Sequence, residues 1–595
     1  MNIVMFPCKG LSRFVGSKAL FLAGMVLSFL AGGIAHAHAH ADDAAPRLRR
    51  PVALAVSRDG GRLFVANERS GSLSVVDTGT ARVVAEHDVG RGLSDVAALP
   101  DGRHLLVVDR TGDALLLLEM VDNTIRPIAR RSVDPDPVTV VVAPDGGSCV
   151  VASLWSRRLT FVELAGPLTV TGTLDLPFSP RRMVLVREGA KLVVADTFGG
   201  KLAVVDRERR ALESVRTLPA HNIRGLALAP DGRTLVVAHQ TLSRSARTDF
   251  EDIHWGRLLR SQLRSLRVEA VLAPGSDADL LRKGTVIDLG ATGSGAADPS
   301  GLACGPTGVV AVALGGVDEL AIGRGPVGYF QRFGVGAHPT ALAFGPEGKV
   351  VYVADTFGDT VSVVDVASGR RVHVISLGRR PEPTLAERGE RLFYDARLSH
   401  DNWMSCHTCH TDGHTNGLLG DTLGDGSYGA PKRIPSLLGA RATGPWTWTG
   451  SIDRLEDQVR KSVAVTMWGP ALSAEDLAAL TAYVRTLERP RLTTPTDHGA
   501  ASARGREVFR SKECAECHAP PEYTSSGRYD VGLVDESGQR EFNPPSLRGV
   551  GRRESFLHDG RAATLEDVFL KHRHPLDTEL TPGEVADLAA FLRSL

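Results

Sequence analysis

The sequence has few cysteines, no net charge and few long apolar runs. Its 595 residues include 7 cysteines, too few for a disulfide-stabilised fold. The 69 basic and 69 acidic side chains cancel, so the basic excess typical of nucleic-acid-binding proteins is missing and we predict no nucleic-acid partner. A hydrophobic content of 43% and a charged content of 23% are ordinary for a globular protein and exclude extensive disorder.

One apolar run, residues 19–35, is close to the length of a membrane span. Lys9, Arg13 and Lys18 precede it, and three overlapping A-x-A sites follow between Ala35 and Ala41. A basic segment, an apolar segment and a small-residue cleavage site predict a secretory signal peptide over residues 1–41. The alternative is an uncleaved membrane anchor. We expect a periplasmic protein that makes no membrane contact after cleavage.

A strand-turn pattern repeats over residues 47–377. It begins as PVALAVSRDGGRLFVANERSGSLSVVD at Pro51 and ends as PTALAFGPEGKVVYVADTFGDTVSVVD at Pro339. A turn ending in glycine marks each copy, at glycines 60, 102, 146, 189, 232, 308 and 348, spaced by 42, 44, 43, 43, 76 and 40 residues. Hairpin units at this period are typical of propeller blades, which must stack in a ring to bury their faces. Seven copies predict a seven-bladed all-β propeller.

The repeats resemble the YVTN family of bacterial β-propellers. The signature tetrapeptide reads FVAN at Phe64 and YVAD at Tyr352. The 76-residue spacing predicts an insertion at about 243–275, which is either a solvated loop or a segment that contacts another domain or a partner. Cys149 and Cys304 fall in distant blades, and we expect two small core residues and no disulfide.

Two C-x-x-C-H motifs dominate the C-terminal third. Cys406, Cys409 and His410 form the first, and Cys514, Cys517 and His518 form the second. In such a motif two thiols attach a haem covalently, and the histidine ligates its iron from the proximal side. A zinc or redox-dithiol site would not require the adjacent histidine. We therefore predict two c-type haems.

Helical periodicity flanks each motif. We predict helices over 385–394 and 474–487 around the first, and over 502–509 and 582–595 around the second. Two mainly α-helical cytochrome c domains, residues 385–490 and 498–595, are therefore expected to follow the propeller.

The sequence around the motifs resembles that of the bacterial dihaem cytochrome c peroxidases. GERLFYD at Gly389, PSLLG at Pro435, FNPPSLRGV at Phe542 and FLHDGR at Phe556 carry the resemblance. The superfamily includes the oxidase that matures the tryptophan-derived cofactor of methylamine dehydrogenase. The resemblance implies that the haem on His410 meets hydrogen peroxide and that the haem on His518 collects electrons.

The resemblance also assigns a residue between the haems. Trp448 matches the family tryptophan at that place and would be the electron bridge. The alternative is that Trp448 only packs in the core, as Trp446 nearby could. Calcium often binds between the domains in this family, but its asparagine position is Arg433 here, which argues against that ion.

The sixth ligand of the second haem departs from the family. No methionine follows Cys517, so a methionine from its own domain is excluded. His572 or His574 could replace it, Tyr523 or Tyr529 could ligate instead, or the site could be open. His558 matches a family position and is expected beside the haem, not on it.

The first haem has Met467 and Met404 as candidate distal ligands, although either could be a core residue. An open or weakly ligated iron is the preferred interpretation. Asp425, Arg433 and His414 are the candidates for the acid–base work on peroxide.

The prediction is a dihaem peroxidase that takes electrons from a small cytochrome c or cupredoxin, or that uses peroxide to oxidise a partner. The propeller would dock that partner or brace the haem domains. A first alternative is a non-enzymatic dihaem electron-transfer protein. In a second alternative the propeller is the functional centre: it binds a ligand or metal, and the haems transfer electrons to or from it.

Overall fold

The structure is a computed structural model that describes residues 45–325, 328–490, 499–574 and 579–595. The predicted signal peptide, residues 1–41, lies outside these ranges and stays a prediction. Within them, no helix has the length and hydropathy needed to cross a bilayer.

Seven antiparallel sheets of four consecutive strands each form the N-terminal part, which confirms the seven-bladed propeller. The strands, blade by blade, are Pro51–Val56, Arg62–Asn67, Ser72–Asp77 and Arg82–Asp88; Leu93–Ala98, His104–Asp109, Ala114–Val121 and Thr124–Ser132; Pro137–Val142, Ser148–Ser153, Arg158–Glu163 and Thr169–Asp175; Pro180–Val186, Lys191–Asp196, Lys201–Asp206 and Ala211–Thr217; His221–Leu228, Thr234–Leu242, Leu259–Arg267 and Thr285–Asp288; Pro299–Cys304, Val309–Leu314, Glu319–Arg324 and Phe330–Gly334; and Pro339–Phe344, Val350–Asp355, Thr360–Asp365 and Arg370–Ser376.

The glycine turns lie between the first and second strands of each blade. Every one of these seven glycines has a positive φ, from 65° at Gly232 to 90° at Gly189. Residues other than glycine rarely adopt this backbone conformation, so the repeated glycine sets the hairpin geometry of each blade.

The propeller core consists of seven apolar clusters, each shared by two neighbouring blades. The first strands of adjacent blades contact each other around the ring, including those of blades seven and one. Thr356 Oγ1 of blade seven donates to the Pro51 carbonyl of blade one at 2.7 Å. No blade buries both its faces alone, which is why the ring must close. Cys149 and Cys304 are free thiols, as expected.

The predicted insertion at 243–275 needs a correction, because it is not one loop. Leu259–Arg267 inside it is the third strand of blade five, and this strand separates two excursions. The first carries helix α1 (Phe250–His254), and the second carries α2 (Val268–Leu272) and α3 (Asp277–Arg282). The repeat period could not show this, because an apolar strand and an amphipathic loop look alike over a few residues.

Helices follow the propeller. They are α4 (Leu385–Phe393), α5 (Cys406–Cys409), α6 (Leu455–Lys461), α7 (Ala474–Thr486), α8 (Gly499–Ser511), α9 (Leu565–Leu570) and α10 (Pro582–Arg593). Two short ladders, Leu419–Gly420 with Lys432–Arg433 and Tyr529–Asp530 with Glu541–Phe542, lie between them. The four predicted helices are confirmed to within a few residues.

The same helix crossing occurs beside each of the two haem motifs. α4 packs on α7, and α8 packs on α10. A glycine stands at each crossing: a Cβ on Gly389 would lie 1.8 Å from the Ala479 carbonyl oxygen, and one on Gly505 would lie 1.9 Å from that of Asp587. These two glycines let the helix backbones touch, and the repeated crossing brings each C-x-x-C-H motif to an equivalent place.

Candidate functional site

The first motif lies against the propeller. Cys406 begins α5, where Ser405 and Thr408 cap the helix reciprocally. The carboxylate of Asp298, at the start of blade six, accepts from Ser405 Oγ at 2.5 Å and from Thr408 Oγ1 at 2.7 Å. His407 and Thr408 are buried in this contact. The propeller therefore holds the backbone that carries the first pair of thiols.

Asp412, two residues beyond His410, strengthens this contact. Its carboxylate pairs with Arg181 of blade four and with Arg224 of blade five. Burial by itself would raise the pKa of Asp412, but Arg224 and Arg181 hold it well below its ordinary value. This is a largely buried ion triad, in which loss of one charge strands the others.

A cavity of ≈ 220 Å³ adjoins the first motif and is lined by Cys406, Cys409 and His410. His410 Nδ1 lies 3.0 Å from the Pro435 carbonyl oxygen. In the tautomer that donates this bond, Nε2 is the free nitrogen, as an iron ligand requires. Of the described residues that line this cavity, His410 alone is a histidine.

Polar side chains form one wall of the first cavity. Lys432 Nζ donates to Asp425 Oδ2 and to Asp535 Oδ2, both at 2.7 Å, and so links the two haem domains. Lys461 donates to the Thr422 carbonyl and to Thr466 Oγ1. Burial lowers the pKa of Lys461 to about 8, against the opposing charge of Asp425. Such groups can hold and release protons near neutral pH.

Gln458 stands one helical turn from Lys461 and also lines the cavity. Its Nε2 donates to Ser462 Oγ at 3.0 Å, while its Oε1 is buried without a hydrogen bond in the described part of the chain. Sequence reasoning missed both Gln458 and Lys461. Their spacing of three on a helix with Leu455 and Val459 was the signal, because it places all four on neighbouring positions.

The candidate distal residues of the first haem separate in space. Met467 and Met404 line the cavity and also belong to the buried core of this domain. His414 does not line it. Its ring packs edge-on against Trp155 and Phe198 of the propeller, at centroid distances of 5.3 and 4.8 Å. His414 is therefore placed for packing and not for acid–base work, because its ring is buried against the propeller outside the first cavity.

A second cavity of ≈ 320 Å³ is lined by Cys514, Cys517 and His518. His518 Nδ1 lies 3.1 Å from the Tyr523 carbonyl oxygen, the counterpart of the bond made by His410. Glu516 and Ala515 within this motif are exposed, whereas the equivalent residues of the first motif are buried under the propeller.

His574, but not His572, lines the second cavity. Its ring centroid lies 6.5 Å from that of His518. Two metal–nitrogen bonds of about 2 Å, with half a ring beyond each, span about 6 Å, so one iron fits between the two imidazoles. His572 instead points to the Arg561 carbonyl oxygen at 3.1 Å. Tyr529 lines the cavity, whereas the ring of Tyr523 packs against Phe509 and Phe591.

Trp448 lies between the two cavities and contributes to the wall of both. Its Nε1 donates to the Arg433 carbonyl oxygen at 2.7 Å, and the Arg433 guanidinium lies 5.4 Å from its ring centroid. The Arg433 backbone N–H donates to the His558 carbonyl at 2.6 Å, across the domain boundary. His558 stacks on Phe542 at 4.3 Å and meets the edge of Trp448 at 6.5 Å.

Comparison with known proteins identifies the family of the haem-binding region. The family model described as di-haem cytochrome c peroxidase matches residues 383–492. The methylamine utilization protein MauG of Methylorubrum extorquens is 30% identical over 271 positions, which cover 35% of this chain and 76% of that protein. The chain belongs to the dihaem cytochrome c peroxidase family.

Two further similarities are weaker. The cytochrome c551 peroxidase of Pseudomonas aeruginosa is 27% identical over 271 positions, which cover 35% of this chain and 78% of the relative. A solved structure of Kuenenia stuttgartiensis hydrazine synthase aligns with 56% of this chain and 99% of that chain, at 20% identity and a TM-score of 0.48.

Membership of this family implies two haems, and the residues fit both. Each motif presents two thiols and one histidine with a free Nε2 beside a cavity whose lining is largely apolar. The four motif cysteines, Cys406, Cys409, Cys514 and Cys517, are half-buried beside their cavities. Their thiols would hold each haem through two thioether bonds.

Calcium between the domains does not fit these residues. The Asp425 and Asp535 carboxylates there are bridged by the Lys432 ammonium, which pairs with both. Arg433 adds a second buried cation beside Trp448. A calcium ion needs several free oxygen ligands and would have to displace these charges.

Proposed function

We propose that this protein reduces hydrogen peroxide in the periplasm with electrons from a small cytochrome c or cupredoxin. When bound, the two haems supply iron centres that a donor can reduce and that peroxide can oxidise. The observation that carries the proposal is the asymmetry of the two cavities. Three histidines line the second cavity, and two of them, His518 and His574, face each other. The first cavity is lined by one histidine, His410, together with polar side chains such as Lys461 and Gln458.

Electron entry is assigned to the second motif. His518 and His574 would ligate its iron from both sides, which favours a low potential and leaves no place for peroxide. The exposure of Ala515 and Glu516 supports this assignment, since a donor can approach that edge. The first motif is covered by the propeller at His407 and Thr408.

Trp448 is the residue proposed to carry electrons between the two sites. Its indole borders both cavities, and its N–H bond to the Arg433 carbonyl fixes the ring plane. The Arg433 guanidinium beside the ring disfavours a positive charge on it. Arg433 would thereby set how readily the indole is oxidised.

Proton supply is assigned to the wall of the first cavity. Reduction of one peroxide to two waters consumes two electrons and two protons. Asp425 and Lys432 form one ion pair at this wall, and Lys461 provides a second buried ammonium. Lys461 would donate a proton to the leaving oxygen or hold a water that does, and Gln458 would orient the peroxide.

The propeller is proposed to brace the haem domains. Asp298 and the Asp412 triad hold the first motif, and Arg157 donates to the Arg552 carbonyl of the second domain. A partner protein could still dock on the opposite propeller face, which carries the glycine turns.

A matched pair of variants tests the proposal. In steady state with a reduced small cytochrome c as donor, we expect the holo-protein to consume one peroxide per two electrons. His574→Ala should abolish donor oxidation and convert the low-spin signal of the second haem to high spin, whereas His572→Ala should change neither. No peroxide consumption by the wild type, with both irons low-spin, would support the electron-transfer alternative instead.

A further inference from the structure

A cluster of two histidines and one aspartate lies outside both haem cavities, where the first excursion of blade five meets the haem domain. His254 ends α1, and His400 and Asp401 lie in a short turn that precedes Cys406. Their ligand atoms all lie within 4.8 Å of one another. None of these three residues has a role in the peroxidase proposal.

The distances in the cluster are close to those of a metal site. His254 Nδ1 lies 2.6 Å from Asp401 Oδ2, and His400 Nε2 lies 3.2 Å from the same oxygen. Ligand atoms around a tetrahedral ion with bonds of about 2 Å are about 3.3 Å apart, so shifts of a few tenths of an ångström suffice. His400 Nε2 is buried and makes no hydrogen bond to the described residues. This nitrogen is therefore available as a metal ligand.

A backbone hydrogen bond and an aromatic ring pack around the cluster. Asp401 and Asn402 both have a positive φ, of 53° and 62°, and the Asp401 carbonyl accepts from Gly295 at 2.7 Å. Phe250 stacks on His254 at 5.5 Å and lies 4.7 Å from His400. The three ligand side chains are 20–32% exposed, which leaves an approach from solvent.

We propose that His254, His400 and Asp401 bind one divalent transition-metal ion of the class that prefers imidazole, such as Zn²⁺ or Cu²⁺, with solvent as the fourth ligand. Two imidazoles and a carboxylate suit these ions, whereas calcium requires more oxygen ligands. The ion would fasten the excursion to the turn that leads into the first haem motif.

The test uses the full-length holo-protein after treatment with a chelator. Titration with Zn²⁺, followed by gel filtration and elemental analysis, should give one zinc for every two irons, with an unchanged haem spectrum. His254→Gln, His400→Gln and Asp401→Asn should each weaken zinc binding by about tenfold or more. His373→Gln, on the exposed last strand of blade seven, is the matched control and should bind like the wild type.

Two further measurements keep the outcome decisive if a variant folds poorly. Cu²⁺ should displace Zn²⁺ from the wild type and give an EPR signal with nitrogen coupling, whereas Ca²⁺ should not compete. Equal zinc binding by the wild type and His254→Gln, or efficient competition by Ca²⁺, would show that the three residues are only a hydrogen-bonded contact.

Discussion

At the scale of single residues, Trp448 is the sharpest point of the account. Trp448→Phe keeps an aromatic ring but removes the N–H bond to the Arg433 carbonyl and raises the cost of oxidising the ring. We expect peroxide turnover to fall by about tenfold or more, about 1.4 kcal/mol in the barrier, with the haem content unchanged.

Trp446→Phe is the matched control for Trp448, since Trp446 lines the first cavity but not the second. Stopped-flow measurement of reduction at the two haems should show no change in this variant. Equal slowing by both substitutions would make Trp448 a packing residue.

Lys461 gives a prediction in pH. Burial lowers its pKa to about 8, so the ammonium is present below this pH and is lost above it. If the ammonium supplies protons to peroxide, turnover falls as the pH rises through 8. Lys461→Arg should remove that fall because arginine keeps its proton. Lys461→Gln should lower turnover about 10-fold to 100-fold at neutral pH. If the pH dependence of turnover in Lys461→Gln were the same as in the wild type, this role would be contradicted.

The histidine ligands show which site residues the sequence can predict and which it cannot. The two proximal histidines follow from the motif, because covalent attachment fixes their spacing. The choice between His572 and His574 does not, since a spacing of two in an irregular segment leaves both directions open. The structure separates them by placing His574 at the cavity and His572 on the Arg561 carbonyl.

At the scale of elements, the helix crossings are the most sensitive feature. A methyl group on Gly389 would meet the backbone of α7 at Ala479, which cannot move aside as a side chain can. Gly389→Ala should therefore destabilise the first haem domain by about 3 kcal/mol. Gly583→Ala, where a Cβ meets no atom within 4 Å, is the control. Thermal unfolding followed at the Soret band should shift in the first variant and not in the second.

Elements were more predictable than their contacts. The period of the glycine turns fixes the number of blades, and the four amphipathic helices appear within a few residues of their predicted bounds. The sequence predicts one insertion where the structure has two excursions from blade five, because the strand between them, Leu259–Arg267, is defined by its pairing with Thr234–Leu242. Local pattern does not record which distant segment a strand will join.

At the scale of the whole molecule, the Asp412 triad joins the propeller to the first haem motif. Asp412→Asn leaves Arg181 and Arg224 largely buried without their shared carboxylate. We expect a loss of about 3–5 kcal/mol. Glu475→Gln, which removes the exposed ion pair with Arg388, should leave the unfolding temperature unchanged. A similar small effect of both substitutions would mean that the triad does not hold the domains together.

The same carboxylate has a defined pH dependence. The folded pKa of Asp412 is held below the unfolded value of about 4, so its stabilisation is present above that pH and is lost as the pH falls through the folded pKa. The difference in unfolding free energy between the wild type and Asp412→Asn should therefore shrink under acid conditions. A difference that is constant between neutral and acid pH would exclude this electrostatic origin.

The central claim is that one iron is open and the other is ligated by two histidines. Low-temperature EPR of the resting holo-protein, with and without one electron equivalent, tests it most directly. The account predicts a high-spin ferric signal from the haem on His410 beside a low-spin signal from the haem on His518. Two low-spin signals in both states would contradict it, and the chain would then be an electron carrier without a site for peroxide.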